Sequence, residues 1–180
     1  MPQAGSVLDP GPPPPETSAM PDGTSLHDTD FLAWTRQQAA ALRAAARAGS
    51  NLPVEFEQVA EEIEDIGNAQ RSELRNRLTT LCEHLLKLAV SPAAAPRPGW
   101  VETVARSRLA IEAVLEESPS LRRELPRLAE AAAAGGRKLA RIVLEAHGEA
   151  TPDRLARIAD AALTLDDHVL SDWLPPPPEA

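Results

Sequence analysis

Apolar residues recur at helical spacing through most of the chain, and the longest such run sets the expectation for the fold. Val59, Ile63, Ile66, Leu74, Leu78, Leu81, Leu85 and Leu88 keep to one side of a helical projection. This spacing predicts a long helix from about Pro53 to Val90, with the proline tolerated in its first turn. Gly67 interrupts the pattern. A helix-interior glycine costs about 1 kcal/mol relative to alanine, so it marks either a kink or a close helix crossing.

Shorter runs flank that segment. A first helix is predicted from a Thr29 or Asp30 cap through Phe31, Trp34, Ala41, Leu42 and Ala45, ending at Gly49. The prolines of SPAAAPRPG at 91–99 predict a loop, after which Val101, Val104, Ile111 and Leu115 outline a helix from Trp100 to Glu117. Ser118-Pro119-Ser120 offers a cap for a fourth helix running to Gly148, with Gly135-Gly136 as a candidate break. Thr151-Pro152 and Thr164-Leu165-Asp166-Asp167 look like caps for short terminal helices.

The predicted class is all-α, a bundle of about four main helices with a long second helix and short C-terminal helices. Phe31, Trp34, Phe56, Trp100 and Trp173 are its candidate aromatic anchors. Residues 1–27, which contain GPPPPE, are predicted to be a disordered Pro-rich tail. A single domain then spans 28–174, with a second Pro-rich tail at 175–180.

Composition supports this reading: Ala, Leu, Glu and Arg abound, there is no Tyr, and only 3% of residues are aromatic, which favours helix over sheet. The formal net charge of -9 sets the whole-molecule field against nucleic acid and anionic membranes. No run approaches the roughly 18 consecutive apolar residues of a membrane span. The single cysteine, Cys82, permits no internal disulfide, and no Cys/His spacing resembles a zinc site. A soluble, cytoplasmic protein is the expectation, with no cofactor implied.

Candidate chemistry concentrates on the long helix. In EEIEDIG at 61–67, taking Ile63, Ile66, Leu74 and Leu81 as the buried direction turns Glu57, Glu61, Glu64 and Asp65 outward and leaves Glu62 on the flank of the apolar stripe. Glu61 and Asp65 stand one turn apart, but two exposed carboxylates do not make a metal site, and no metal ligands are assigned. Gln70, Arg77 and His84 follow Ile63 at heptad spacing. Burying them requires partners, for which Asp30, Glu102, Glu112 and Asp166 are candidates.

One reading of that row is a satisfied polar layer fixing helix register. The other is a binding site in which Glu62, Arg77 and His84 hold a small anion or act as acid and base, although Glu62 and His84 lie about 33 Å apart at helical rise. Arg106, Arg108, Arg122, Arg123, Arg127, Arg137, Lys138 and Arg141, with Arg97 just before them, give the third and fourth helices a basic character. They suit pairing with the acidic face of the long helix better than nucleic-acid binding, since aromatic stacking platforms are missing. No phosphate loop, zinc-protease pair or nucleophile elbow is present.

Several ordered stretches resemble the bacterial family catalogued as domain of unknown function 29. They are DTDFLAW at 28–34, QQAAALR at 37–43, VAEEIEDIG at 59–67, LTTLCEHLLKL at 78–88, ESPSL at 117–121 and LTLDDHVLSDWLP at 163–175. The resemblance implies a small helical domain and assigns no activity. The chain departs from the family pattern in its Ala- and Pro-rich loop at 91–99. The leading functional expectation is a non-enzymatic interaction or regulatory module with a protein partner. The alternatives are a small-ligand or metal-binding enzyme using the polar row, and nucleic-acid binding through the Arg-rich helices. A homodimer is compatible with each.

Overall fold

The computed structural model describes residues 25–178, so most of the predicted N-terminal tail, and the last two residues of the C-terminal one, lie outside the described residues. Six α-helices follow in order: α1 Leu26–Thr29, α2 Phe31–Arg47, α3 Phe56–Val90, α4 Arg97–Glu117, α5 Leu125–Ala146 and α6 Pro152–Asp160. A 3-10 turn at Pro119–Arg123 links α4 to α5, and a single π-helical turn at Leu165–Val169 follows α6; no strand occurs among the described residues.

α3 is the axis, roughly 52 Å long by helical rise. Its C-terminal half carries the core: Leu74, Leu78, Leu81, Leu85 and Leu88 pack with Val104, Ile111 and Leu115 of α4, Leu121 of the intervening turn, and Leu125, Leu128 and Ala132 of α5. A second cluster joins Leu86 and Val90 of α3 to Ala140 and Leu144 of α5 and Ile158 of α6. Its N-terminal half lies along α2, whose Leu32, Thr35 and Ala39 are buried.

Both questionable glycine positions resolve as crossings. α3 runs unbroken through Gly67, where an added Cβ would fall 2.9 Å from Leu32 Cδ1 and nearer still to the Thr35 hydroxyl. α5 likewise continues through the candidate break at Gly135-Gly136, because Gly136 lets the α5 backbone lie directly on Cys82 and Glu83 of α3. Gly49 ends α2 as predicted, with φ +71°, a left-handed position that glycine adopts without steric cost.

Other boundaries moved for local reasons. Ser25 Oγ donates to Asp28, and residues 26–29 form α1 across the predicted end of the tail at 27, with His27 set edge-on against Phe31 and Trp34. α4 begins at Arg97 inside the predicted loop, because Pro98 is tolerated in a first turn. Ser118 does not cap the fourth helix. Its hydroxyl accepts from the Leu32 amide at 3.1 Å and donates to Gln70, and the helix starts anew with Pro126 in its first turn. Pro175, placed in the C-terminal tail by its sequence, is buried, and its carbonyl accepts from Arg97.

The buried face of α2 also differs from the predicted one: Phe31 and Trp34 are half-buried and Ala41 is exposed.

Candidate functional site

The predicted polar row does not assemble. Glu62 is exposed, Arg77 is exposed and donates to Glu73 of its own helix at 2.7 Å, and His84 is half-buried two turns further on. A strict seven-residue repeat on a straight α-helix drifts about 20° per heptad, so Arg77 has left the leucine stripe, while His84 is half-buried among other neighbours. Two of the four acids expected to face it are engaged elsewhere, Asp30 accepting from the Ser120 amide and hydroxyl and Glu102 from Arg106, while Glu112 and Asp166 are exposed. Only Gln70 reaches across, to Ser118.

His84 belongs to a different arrangement. Its Nδ1 donates to the Thr80 carbonyl at 2.9 Å, which leaves Nε2 as acceptor for Lys87 Nζ at 3.2 Å. Burial holds the imidazole pKa below the usual histidine value and the Lys87 ammonium adds to this, against the opposing pull of the Thr80 carbonyl and Glu83. Lys87 is itself buried, 5% exposed. It donates to Glu83 at 2.8 Å and stands 5.2 Å from the centre of the Trp100 ring, a cation–π geometry.

This lysine lies at the edge of a cleft of about 610 Å³ between the C-terminal end of α3, the start of α4 and the end of α5, walled by Pro96, Trp100, Leu144 and His147. Glu149, which also lines the cleft, accepts from Ser91 Oγ at 2.5 Å. Sequence reasoning found His84 and missed Lys87. The signal was a single cation inside the apolar run LLKLAV, four residues after Glu83, and an (i, i+4) Glu–Lys pair is the cheapest way to neutralise it.

A second polar cluster ties α2 and α3 to the turn before α5. Glu124, its side chain 18% exposed, accepts from Arg36 at 3.0 Å and pairs with Arg71. Burial pushes its carboxyl pKa up, but the hydrogen bonds from Arg36 and Arg71 outweigh that and hold it below the usual value. The cluster is a clamp between elements far apart in sequence. Nothing in the local pattern around Glu124 announces it.

The acids of EEIEDIG divide into two groups. Arg43 of α2 donates to Glu64 at 2.8 Å and lies 3.6 Å from Glu57, so the acidic face does meet a basic helix, but α2 rather than α4 or α5. Glu61, Glu62 and Asp65 make no ion pair among the described residues. Beside them Ile66, used above to define the buried direction, is 52% exposed, and Val59 is 38% exposed. Val59, Glu62 and Ile66 follow one another at steps of three and four, so they form one exposed stripe on α3, with Glu55 just before it at the N-cap.

The cations of α4 and α5 have other tasks. Arg108 donates to the carbonyls of His168, Val169 and Trp173 and so fixes the C-terminal turn. Arg106 and Arg141 pair within their own helices. Arg137 donates to the Ala161 carbonyl at 2.8 Å, and with Lys138 and Arg141 it edges a groove of about 640 Å³ floored by Ile142, Leu155 and Ile158. Among the described residues no group of three His, Cys, Asp or Glu is placed to hold a metal ion, and no helix is long and apolar enough to cross a membrane.

A family profile described as "Domain of unknown function DUF29" matches residues 26–170. The chain belongs to the DUF29 family. The DUF29 match takes in all six helices, the α3 stripe, the Lys87 cleft and the Glu124 clamp, and stops short of Trp173 and Pro175. A crystal structure of an alpha-helical protein of unknown function from Rhodospirillum rubrum is similar in fold. At 21% identity it covers 84% of this DUF29 chain and 94% of its own, with a TM-score of 0.60. No curated protein matches the chain.

Proposed function

We propose that this chain is a non-enzymatic protein-interaction module whose docking face is the acidic, apolar stripe of α3. The observation that carries the reading is the exposure of Ile66 and Val59 on a helix that elsewhere buries its leucines completely. Fully burying an exposed aliphatic side chain contributes about 1.5–3 kcal/mol, so covering the part of Ile66 and Val59 that is still exposed offers a fraction of that each as binding energy. Leu52 and Val54, in the connection before α3, are likewise 65% and 43% exposed. The unpaired acids around it select a partner surface that is basic and apolar, since charge complementarity gives specificity and speeds association.

The test places a photo-crosslinking amino acid at position 66 of the full chain, with Arg106 on α4, whose side chain is 76% exposed, as the control position. Adducts at 66 whose partner peptides carry Lys or Arg among apolar residues are the expected result. Equal adducts at both positions, or none at 66, would overturn the reading.

The Lys87 cleft favours a second reading, a small-ligand site, because it combines a buried ammonium with an aromatic wall. Native mass spectrometry of the purified chain after incubation with a metabolite extract tests it. A bound small molecule lost on Leu144→Trp supports the site, and an unliganded mass throughout removes it.

A further inference from the structure

The groove between α5 and α6 carries the chemistry that the α3 stripe lacks. Its edge is Arg137, Lys138 and Arg141, and its floor is Ile142, Leu155 and Ile158. Lys138 is exposed and makes no ion pair among the described residues, while Ile142 and Leu139 of the same helix are 48% and 40% exposed. In a chain of net charge -9, Arg137 and Lys138 beside exposed aliphatic residues, with Arg141 shared with Glu145 at 2.9 Å, make this edge locally cationic. The surface that would fit is an acid flanked by aliphatic side chains. On this molecule Glu62 stands between Val59 and Ile66 in that arrangement.

We infer that the occupant of the groove is the α3 stripe of a second copy of this chain, bound head to tail. The inference rests on the reading of the stripe as a docking face, and it names the partner. Glu55 and Glu62 of one chain meet Lys138 and Arg141 of the next, and Val59 and Ile66 cover Ile142 and Leu155. Ile158 of α6 packs on Leu86 and Val90, so the groove sits beside the C-terminal end of α3, roughly 36 Å along the helix from Glu62 at 1.5 Å per residue. Each copy therefore offers one surface near one end of α3 and its complement near the other. Contacts that use two different patches generate a ring or an extending chain of subunits rather than a simple twofold pair.

Sedimentation of the full chain over a range of concentrations tests this, using two sets of substitutions at exposed positions. Both sets keep strong helix formers, and circular dichroism confirms that each variant is folded. Glu55→Arg with Glu62→Arg, and separately Lys138→Glu with Arg141→Glu, should each weaken self-association by about tenfold or more through like-charge contact. Mixed in equal amounts, the two variants regain opposite charges at every junction, and association should return.

A wild-type chain that is monomeric at all concentrations, variants that associate like wild type, or a mixture no stronger than its components would each overturn the inference. If the wild-type chain is monomeric while the probe at position 66 captures another protein with a basic, apolar surface, self-docking fails and the interaction reading stands. If the probe captures nothing as well, both fail.

Discussion

Adjacent glycines on α5 should respond to the same substitution with opposite sign. A Cβ added at Gly136 would lie 2.7 Å from Cys82 Cβ and 2.8 Å from the Glu83 amide nitrogen. Both are main-chain or first side-chain atoms of a buried helix, so no rotamer change makes room, and α5 must move off α3. Overpacking of this kind costs about 1–3 kcal/mol, and can exceed it, while replacing a helix-interior glycine by alanine returns about 1 kcal/mol. Gly136→Ala is therefore expected to lose stability, by up to about 2 kcal/mol or more. At Gly135 the added Cβ meets only the Thr79 side chain, 3.1 Å from its methyl carbon, which a few tenths of an ångström of adjustment relieves.

Gly135→Ala should then be neutral or stabilising by up to about 1 kcal/mol. Thermal unfolding followed by circular dichroism separates the two. In a chain of this size each kcal/mol moves the midpoint by about 2–4 °C, so the variants should straddle wild type with Gly136→Ala several degrees lower. A Gly136→Ala midpoint equal to or above that of Gly135→Ala would refute the close crossing of α3 and α5.

Glu124→Gln should destabilise the chain by about 1–3 kcal/mol near neutral pH by uncoupling Arg36 and Arg71. Because the folded carboxyl pKa is depressed, the stability it confers is complete above the ordinary glutamate pKa and is lost as pH falls through the folded value. Denaturant curves of wild type and Glu124→Gln should accordingly converge in acid. His84 works in the same pH direction: its folded pKa is lowered, so wild type should lose stability as pH falls below about 6.5. A His84→Gln variant should lack that step in a pH series of unfolding curves. Burial pushes the Cys82 thiol up to about 11, so a thiol reagent should label it in the native chain only at the rate of opening, and at once in denaturant. Fast native labelling would contradict its place beneath Gly136.

The sequence disclosed the class and the C-terminal half of α3, because leucines at 74–88 surrounded by α2, α4 and α5 are buried wherever the periodicity puts them. The same periodicity misled at Val59 and Ile66. Spacing reports that residues share a face but not that a third element covers it, and α3 packs there chiefly against α2. Helical drift took Arg77 off the leucine stripe, which sequence spacing could have shown, while His84 stays half-buried beside Lys87. The Glu83–Lys87 pair was readable from its (i, i+4) spacing, whereas the Trp100 wall beside it and the Glu124 clamp on Arg36 and Arg71 depend on contacts between distant segments, which no local pattern encodes. Gly67 and Gly136 were visible as anomalies, and only the neighbouring helices decide that each marks a crossing.

The most direct test of the docking face is the unfolding free energy of Ile66→Asp, measured beside the cross-link yield from a probe at position 59 in the same variant. An exposed interface residue predicts a stability within about 0.5 kcal/mol of wild type together with loss of the cross-linked partner. A loss of several kcal/mol would place Ile66 in the folding core, and an unchanged cross-link yield on an intact fold would mean that the stripe does not dock a partner.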